Sequence, residues 1–248
     1  MKRYGLIGYP LSHSFSQKYF TEKFLKESIE GVLYENYSIP DISELTGILK
    51  ANADLCGFNI TIPYKKAILD YLSAWSPVVE AMGACNCVRI ENGVLAGHNT
   101  DVVGFEKSLE PYLKAHHNKA LILGTGGAAA AVAYVFNQRG IQFKYVSRQS
   151  SDLAISYQEL GEATMREYTL IINTTPLGMS PNINECPPIP YAFIGARHHC
   201  FDLIYNPSET LFLQKSKEAG ATIQNGAEML VIQAEESWRI WNEEKGGE

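Results

Sequence analysis

The sequence predicts an α/β protein of two domains. Over residues 119–204, buried strand-like segments alternate with helical ones, which is the pattern of a doubly wound parallel sheet. Over residues 1–98, extended and helical segments end in an Asn-Gly hairpin, which indicates a mixed α/β unit. We therefore expect a first domain of residues 1–100 plus the C-terminal helix at about 227–248, and a second domain of residues 101–226.

The composition is that of a soluble globular protein. Hydrophobic residues make up 46% of the 248-residue chain and charged residues 19%, enough for a full core. The net charge of −6 argues against nucleic acid or an anionic membrane surface as the main partner. There is no apolar run of about 18 residues and no secretory leader, so we expect a cytoplasmic protein, monomeric or homodimeric, with a small-molecule partner.

The cysteines and histidines predict no metal site. Cys85 and Cys87 form a C-x-C pair without a second ligand pair, and we expect both to be buried as small hydrophobic groups. The adjacent histidines at 116–117 and 198–199 fall in polar connectors and lack helical i, i+4 spacing. We expect both histidine pairs at the surface.

Each domain has its own series of expected elements. In the first domain they are strands at 4–8, 32–39, 57–62, 85–90 and 94–98, with helices after Ser14, at 41–52, at 65–71 and after Ser76. In the second domain they are helices at 101–115 and 127–138, strands at 119–123, 142–146, 169–173 and 199–204, and a last helix from about 226.

Two stretches of the first domain combine regular structure with unusual polar groups. In the strand at 57–62, Asn59 and Thr61 share one face, and Lys65 follows just past the strand end. The apolar positions Phe58, Ile60 and Ile62 form the buried pattern. Ser12 and Ser14 crowd the start of the first helix, where free backbone N–H groups favour a carboxylate. Ser14 with Gln17 also fits a simple helix cap, and an ordinary half-exposed strand also fits the first stretch.

The turn at 124–129 carries the clearest chemical signal. Its sequence GTGGAA fits G-x-G-x-x-A directly after a buried strand and at the start of a helix, which is the fingerprint of a Rossmann-like dinucleotide domain. The alternative is a tight packing turn without a ligand. At the end of the next strand, Ser147 and Arg148 stand where an NAD-binding protein has an acid, and no carboxylate occurs until Asp152. This favours NADP(H), because an arginine can bind the 2′-phosphate. The alternative is that Arg148 is an ordinary solvent-exposed charge on a loop.

With these motifs the chain resembles the shikimate dehydrogenase family over nearly its whole length. The matching segments are 8–14 (GYPLSHS), 59–65 (NITIPYK), 83–86 (GACN), 99–105 (NTDVVGF), 124–127 (GTGG), 173–179 (NTTPLGM), 202–207 (DLIYNP), and Gly226 with 229–234 (MLVIQA). The resemblance implies reversible reduction of 3-dehydroshikimate to shikimate with NADPH, in aromatic amino-acid biosynthesis.

The resemblance also implies a role for individual residues. Lys65 and Asp101 would be the catalytic pair. The substrate would be bound by these two residues and by Ser12, Ser14, Asn59, Thr61, Asn86, Tyr205 and Gln233. The cofactor would be bound by Gly124, Gly126, Gly127, Ala128, Ser147, Arg148, Thr174, Gly226 and Met229.

The chain departs from the family pattern in a few places. Gln17 stands where the family usually has proline, Thr125 where it has alanine, and 147–149 read Ser-Arg-Gln where it has Asn-Arg-Thr. The last departure weakens the NADP inference, although the arginine is kept.

Other readings stay open at the level of sequence. One is a quinate/shikimate dehydrogenase that also uses NAD, which the missing acid disfavours. Another is an amino-acid or folate dehydrogenase of similar architecture, which the two serines disfavour. The last is a non-catalytic regulator that responds to shikimate or NADP, although it would be expected to lack Lys65 or Asp101.

Overall fold

The computed structural model describes residues 1–11 and 15–243. The chain divides into two compact units: the first holds residues 1–100 and the chain from Ala234 onward, and the second holds 101–233. The division falls inside the last helix, whereas the sequence predicts that whole helix in the first domain. Within the described residues, no helix combines the length and apolarity that crossing a bilayer requires.

The first unit contains a six-stranded mixed sheet. Its strands are β1 (Lys2–Gly8), β2 (Val32–Ser38), β3 (Leu55–Ile60), β4 (Ala74–Trp75), β5 (Cys87–Glu91) and β6 (Val94–His98). Its helices are α1 (Phe15–Lys26), α2 (Leu45–Ala51) and α3 (Pro77–Met82), with 3-10 turns at Ile42–Glu44 and Ala67–Tyr71. The strand order is β2-β1-β3-β5-β6-β4. The strands β3 and β5 therefore lie at its centre, and β3 pairs in parallel with β1 on one side and antiparallel with the β5–β6 hairpin on the other.

Local chemistry explains several boundaries in this unit. Asn92 and Gly93 have φ angles of 51° and 79°, as a two-residue type I′ hairpin turn between β5 and β6 requires. The Ser76 side chain accepts from Val79 N to cap α3, and Pro77 occupies the first turn. Both features were predicted from the sequence.

Two predictions for the stretch after β3 were wrong. The strand ends at Ile60, and Ile62 is 74% exposed instead of buried. Pro63 has no N–H to donate to a ladder, so the chain leaves the sheet before it. The helix expected over 65–71 is a 3-10 turn that begins at Ala67.

The second unit contains a six-stranded sheet in which every pairing is parallel. Its strands are β7 (Lys119–Leu123), β8 (Gln142–Ser147), β9 (Ala154–Ser156), β10 (Leu170–Asn173), β11 (His199–Asp202) and β12 (Thr222–Gln224). Its helices are α4 (from Thr100, the last residue of the first unit, to Leu109), α5 (Gly127–Gln138), α6 (Glu162–Glu167), α7 (Leu211–Glu218) and the first part of α8 (Ala227–Asn242). The order β12-β11-β10-β7-β8-β9 reverses between β10 and β7, and ligands of such sheets bind at that reversal.

The predicted helix at 101–115 is shorter than expected. It ends at Leu109 and continues only as a 3-10 turn, Glu110–Tyr112. Pro111 lies at the start of that turn, and a proline cannot supply the N–H that a longer α-helix needs.

The prediction of surface histidines was also wrong. His117, His198 and His199 are buried, and His199 lies inside β11. Its ring stacks on Tyr112 with 4.8 Å between centroids and bonds the side chain of Thr222 at 3.0 Å. Burial lowers the pKa of His199 to about 4. The local sequence does not predict the burial of His199, because β12, the strand that pairs with β11, lies more than 20 residues later in the chain.

Candidate active site

The described chain does not include Ser12 and Ser14, the residues predicted to hold the substrate carboxylate. The strand end before them is described, and it packs tightly. A side chain at Gly8 would overlap the methyl group of Thr61, whose own N–H donates to the Ile7 carbonyl at 2.9 Å. Thr61 is half-buried and lies against β1.

Asn59 belongs to a buried hydrogen-bonded cluster that we call the amide network. Its members are Tyr34, Asn59, Asn86, Thr100 and Ser237. The Asn59 amide accepts from the Tyr34 hydroxyl at 3.0 Å and donates to the Asn86 carbonyl at 3.2 Å and to Ser237 Oγ at 2.8 Å. Burial raises the pKa of the Tyr34 phenol well above its usual value. All five side chains are at most 5% exposed, so the geometry is held from within the protein.

Asn86 caps the start of helix α4. Its Oδ1 accepts from the backbone N–H of Thr100 at 2.6 Å, and its Nδ2 donates to the Thr100 hydroxyl at 3.0 Å. Asp101 follows in the first turn of α4, where the helix dipole favours a negative charge. Asp101 is half-buried.

Lys65 is half-buried on a segment with a fixed backbone. Its carbonyl accepts from Cys85 N at 2.8 Å, and the hydroxyl of the preceding Tyr64 donates to the Ile39 carbonyl at 2.7 Å. Cys85 and Cys87 are fully buried, as predicted, and burial raises the pKa of the Cys87 thiol. Cys85 packs in the same core cluster as Tyr64, whereas Cys87 packs in the cluster that contains Trp241.

The glycine turn lies where the second sheet reverses its strand order. Gly124 has a φ of 107°, and a side chain there would come within 2.8 Å of Thr174 Oγ1. Thr174 in turn donates its hydroxyl to the Leu123 carbonyl at 2.7 Å. A Cβ at Gly126 or Gly127 would meet no atom within 4 Å, and neither residue has a positive φ. Folding thus requires glycine at 124, while Gly126 and Gly127 leave bare backbone at the start of α5, followed by the small side chain of Ala128.

Polar groups at the carboxyl end of β8 face solvent. Arg148 is exposed and, within the part of the chain that the structure describes, forms no ion pair. Ser147 donates its hydroxyl to the Gln149 carbonyl. Farther along, Glu159 accepts from the Ser150 hydroxyl at 2.5 Å and from Ser156 N at 2.6 Å, and these bonds lower the pKa of Glu159 to about 2.

A second buried cluster, which we call the carboxylate network, joins the ends of β10 and β11. Its members are Asn173, Thr175, Asp202 and Thr210. Asp202 accepts from Asn173 Nδ2 at 3.0 Å and from the Thr210 hydroxyl at 2.5 Å, and Asn173 Oδ1 accepts from the Thr175 hydroxyl at 2.7 Å. Burial raises the pKa of Asp202 to about 6, although its donors favour the ionised form.

The remaining predicted residues surround the end of β11 and the start of α8. Tyr205 is 40% exposed. Gly226 is buried, and a side chain there would collide with the Leu203 carbonyl. Met229 is half-buried, with its carbonyl 2.8 Å from where a Cβ on Gly104 would lie. Gln233 is buried and donates to the Leu230 carbonyl at 3.1 Å.

The structure therefore brings Asn59 together with Asn86 in the first unit, and Gly124 with Thr174 in the second. It also reveals buried polar residues for which the sequence predicts no role, namely Tyr34, Ser237 and Asp202. Asp202 left a detectable signal, since it is a single carboxylate within the segment 199–204 that the sequence predicts as a buried strand. Tyr34 and Ser237 left none, because nothing local to them distinguishes them from ordinary strand and helix residues.

Comparisons with known proteins agree with this organisation. Residues 6–88 match the family model described as the shikimate dehydrogenase substrate binding domain. A shikimate dehydrogenase (NADP(+)) from Caldicellulosiruptor saccharolyticus is 35% identical, and the match covers 97% of this chain and 92% of that relative.

Solved structures share the fold over the full length. The shikimate 5-dehydrogenase from Thermus thermophilus, in complex with NADP(H) and shikimate, has a TM-score of 0.86 and 29% identity, covering 98% of this chain and 94% of that one. The 5-ketofructose reductase of a Gluconobacter species, in its ligand-free form, has a TM-score of 0.83 and 28% identity, covering 98% and 93%. The fold is thus shared with a reductase of another name, and it is the sequence relationship to the curated relative that identifies the chain as a member of the shikimate dehydrogenase family.

Proposed function

We propose that this chain catalyses the reversible, NADPH-dependent reduction of 3-dehydroshikimate to shikimate, a step of aromatic amino-acid biosynthesis. The observation that carries the proposal is the near-full-length match to a shikimate dehydrogenase (NADP(+)). The site residues alone would not name the substrate, because the fold is shared with a 5-ketofructose reductase.

The proposed chemistry needs a hydride at the ketone carbon and a proton at its oxygen. NADPH supplies the hydride when it is bound. Lys65 supplies the proton to the oxygen and removes it in the reverse direction, with Asp101 as the second member of the catalytic pair. An ammonium group suits this role because it stabilises the negative charge that develops on the oxygen.

We assign substrate binding to residues of the first unit, to Asp101 and Tyr205, and to Gln233 on α8. Ser12 and Ser14 would take the carboxylate. The hydroxyl groups of the ring would be held by Asn59, Thr61, Asn86, Asp101 and Gln233, with Tyr205 also contacting the substrate. Asn86 suits this role because only one of its two amide N–H groups is used, by Thr100, within the described chain.

The residues of the second unit fit NADP. Gly126 and Gly127 leave room for the pyrophosphate at the start of α5, since a Cβ at either would meet nothing in the protein. Arg148 is an exposed cation that forms no ion pair within the described residues, which suits the 2′-phosphate. Gly124, Ala128, Ser147, Thr174, Gly226 and Met229 complete the proposed cofactor site.

We further propose a cytoplasmic monomer or homodimer without a nucleic-acid partner. All five cysteines are free, which suits a reducing compartment. The net charge of −6 disfavours binding to nucleic acid. Light scattering coupled to size exclusion distinguishes the monomer from the dimer.

Initial rates with shikimate and quinate, each with NADP and with NAD, test the proposed function. The pair of shikimate and NADP should give the highest kcat/KM. No turnover of shikimate with either cofactor, or a higher kcat/KM for quinate with NAD, would overturn the proposal.

A further inference from the structure

The amide network leaves the Asn59 side chain only one orientation. The Asn86 carbonyl can only accept, so the amide nitrogen of Asn59 must face it at 3.2 Å. Ser237 Oγ takes the second N–H at 2.8 Å, and the Tyr34 hydroxyl donates to the amide oxygen at 3.0 Å. A reversed amide would set two oxygens against each other beside Asn86.

Ser237 joins this amide to a second part of the predicted site. It lies on α8, is completely buried, and its hydroxyl is 3.3 Å from Thr100 Oγ1 as well as 2.8 Å from Asn59. Thr100 is the residue that Asn86 caps, and it begins the helix that carries Asp101. A single hydroxyl from the last helix thus touches both Asn59 and the start of α4.

We infer that Ser237 and Tyr34 are positioning residues for the substrate, acting through Asn59. Both are buried, with exposures of 0% and 2%, and both hydroxyls bond the Asn59 amide, so their assigned role is to position Asn59. They hold the amide so that the remaining lone pair of its oxygen can accept from a hydroxyl of the ring, since both amide N–H groups are already bonded within the protein. This inference rests on the proposed function and extends the site to residues behind its surface.

The first test is the Ser237→Ala variant. It leaves one buried N–H of Asn59 without an acceptor and removes one of the three hydrogen bonds that fix the amide. The KM for shikimate should rise about five- to thirty-fold, with the KM for NADP unchanged. Tyr34→Phe, which keeps the ring volume, should raise the KM for shikimate in the same way and provides the test if Ser237→Ala does not fold.

Ser216→Ala is the matched control. Ser216 is also fully buried on a helix, but it lies in the second unit and donates to the Phe212 carbonyl of its own helix at 2.7 Å. Its loss should leave the KM for shikimate within about twofold of wild type, as for sites that do not couple.

A double-mutant cycle separates positioning from general loss of stability. In an Asn59→Ala background, Ser237→Ala should change the KM for shikimate by less than about twofold, because the amide that it positions is gone. An undiminished effect in that background would overturn the inference, as would a lower Tm with an unchanged KM in both single variants. Ser237→Cys, which restores a weak acceptor, should recover part of the loss.

The same experiments distinguish this inference from the proposed function. If the wild-type enzyme does not turn over shikimate, the proposed function and the inference both fail. If the wild type is active while Ser237→Ala and Tyr34→Phe bind shikimate normally, only the inference fails.

Discussion

The candidate site residues of the two units differ in burial and in hydrogen bonding. In the first unit, Asn59 and Asn86 are buried and bonded to neighbouring groups before any ligand arrives. In the second, the turn at 124–127 exposes bare backbone, and Arg148 lies open to solvent. A small ring with several hydroxyl groups needs a few fixed side chains, whereas a long anionic cofactor needs room and charge. Substitutions near Asn59 and Asn86 in the first unit should therefore change kcat or the KM for the substrate, and substitutions at the glycine turn or at Arg148 in the second should change cofactor binding.

The amide network of the first unit and the carboxylate network of the second also differ in charge. The amide network contains only neutral groups, so its contribution to stability does not depend on pH near neutrality. The carboxylate network is centred on Asp202, with a pKa raised to about 6, and buried His199 in the same unit has a pKa lowered to about 4. Acid should therefore act on the second unit through these two groups.

The largest expected effect is in the first unit. Lys65→Ala should lower kcat by about 10²–10⁴-fold, the usual contribution of a positioned acid, with a much smaller change in the KM for shikimate. Lys66→Ala is the control, because the neighbouring lysine is exposed and should be dispensable. Steady-state kinetics of both variants measure these effects. A kcat of Lys65→Ala close to that of wild type would show that Lys65 is not the proton donor.

The next effect concerns the pH dependence of the second unit. Unfolded His199 takes up a proton near pH 6.5, but the folded residue does so only near pH 4. Its contribution to the free energy of unfolding should thus be complete above pH 6.5 and fall by about 3 kcal/mol as the pH drops to 4. The raised pKa of Asp202 acts in the opposite direction below pH 6, so the total change is smaller.

Comparing His199→Gln with wild type isolates the histidine. Urea titrations between pH 4 and 7, followed by circular dichroism, should show the variant losing less stability in acid. All three tryptophans lie in the first unit, so their fluorescence reports on that unit separately. Parallel pH profiles for the two proteins would contradict the assignment to His199.

A smaller effect should appear at the cofactor phosphate. Arg148→Ala removes a charged hydrogen-bond donor and should raise the KM for NADP about 10–100-fold. Rates with NAD and the KM for shikimate should stay unchanged. Arg166→Ala is the control, since Arg166 is exposed in the same unit but paired with Glu162. An equal loss with NAD would show that Arg148 does not recognise the phosphate.

The smallest expected effect is on the stability of a glycine variant. Gly126→Ala should change the free energy of unfolding by less than about 0.5 kcal/mol, because the added methyl group meets open space. It should nevertheless weaken NADP binding by occupying the room for the pyrophosphate. Gly226→Ala, whose methyl group meets the Leu203 carbonyl, should cost about 1–3 kcal/mol. Calorimetry measures the free energy of unfolding of both variants. If Gly126→Ala lost as much stability as Gly226→Ala, glycine would be needed for packing at position 126 as well.

The sequence predicted best where local rules decide the structure. The α5 helix has the expected bounds of 127–138, and the Asn-Gly turn forms the expected hairpin. Both depend on glycine geometry and on helix and strand periodicity within a few residues. The short strand β12, at the edge of its sheet, was not predicted, because it is only 3 residues long.

The candidate site was only partly predictable, for a related reason. Motif residues such as Asn59 and Gly126 occur in recognisable strings, and the structure places them at the end of a strand and at the start of a helix. Ser237 could not be found this way, because its importance depends on an amide 178 positions earlier. The burial of His198 and His199 likewise depends on contacts with residues far away in the sequence, such as Met165 and Thr222, which the polar residues around the two histidines do not predict.

Helix α8 has a consequence for the order in which the protein matures during translation. Trp241 stacks on Tyr4 at 4.9 Å and donates to the Val88 carbonyl at 3.0 Å, so the first unit is completed by residues synthesised after the whole second sheet. Until those residues leave the ribosome, the nascent first unit exposes the aromatic surface that α8 will cover and lacks the hydroxyl that orients Asn59. Although domains generally fold in order from the N-terminus, here the unit that begins the chain should be the last to reach its working form.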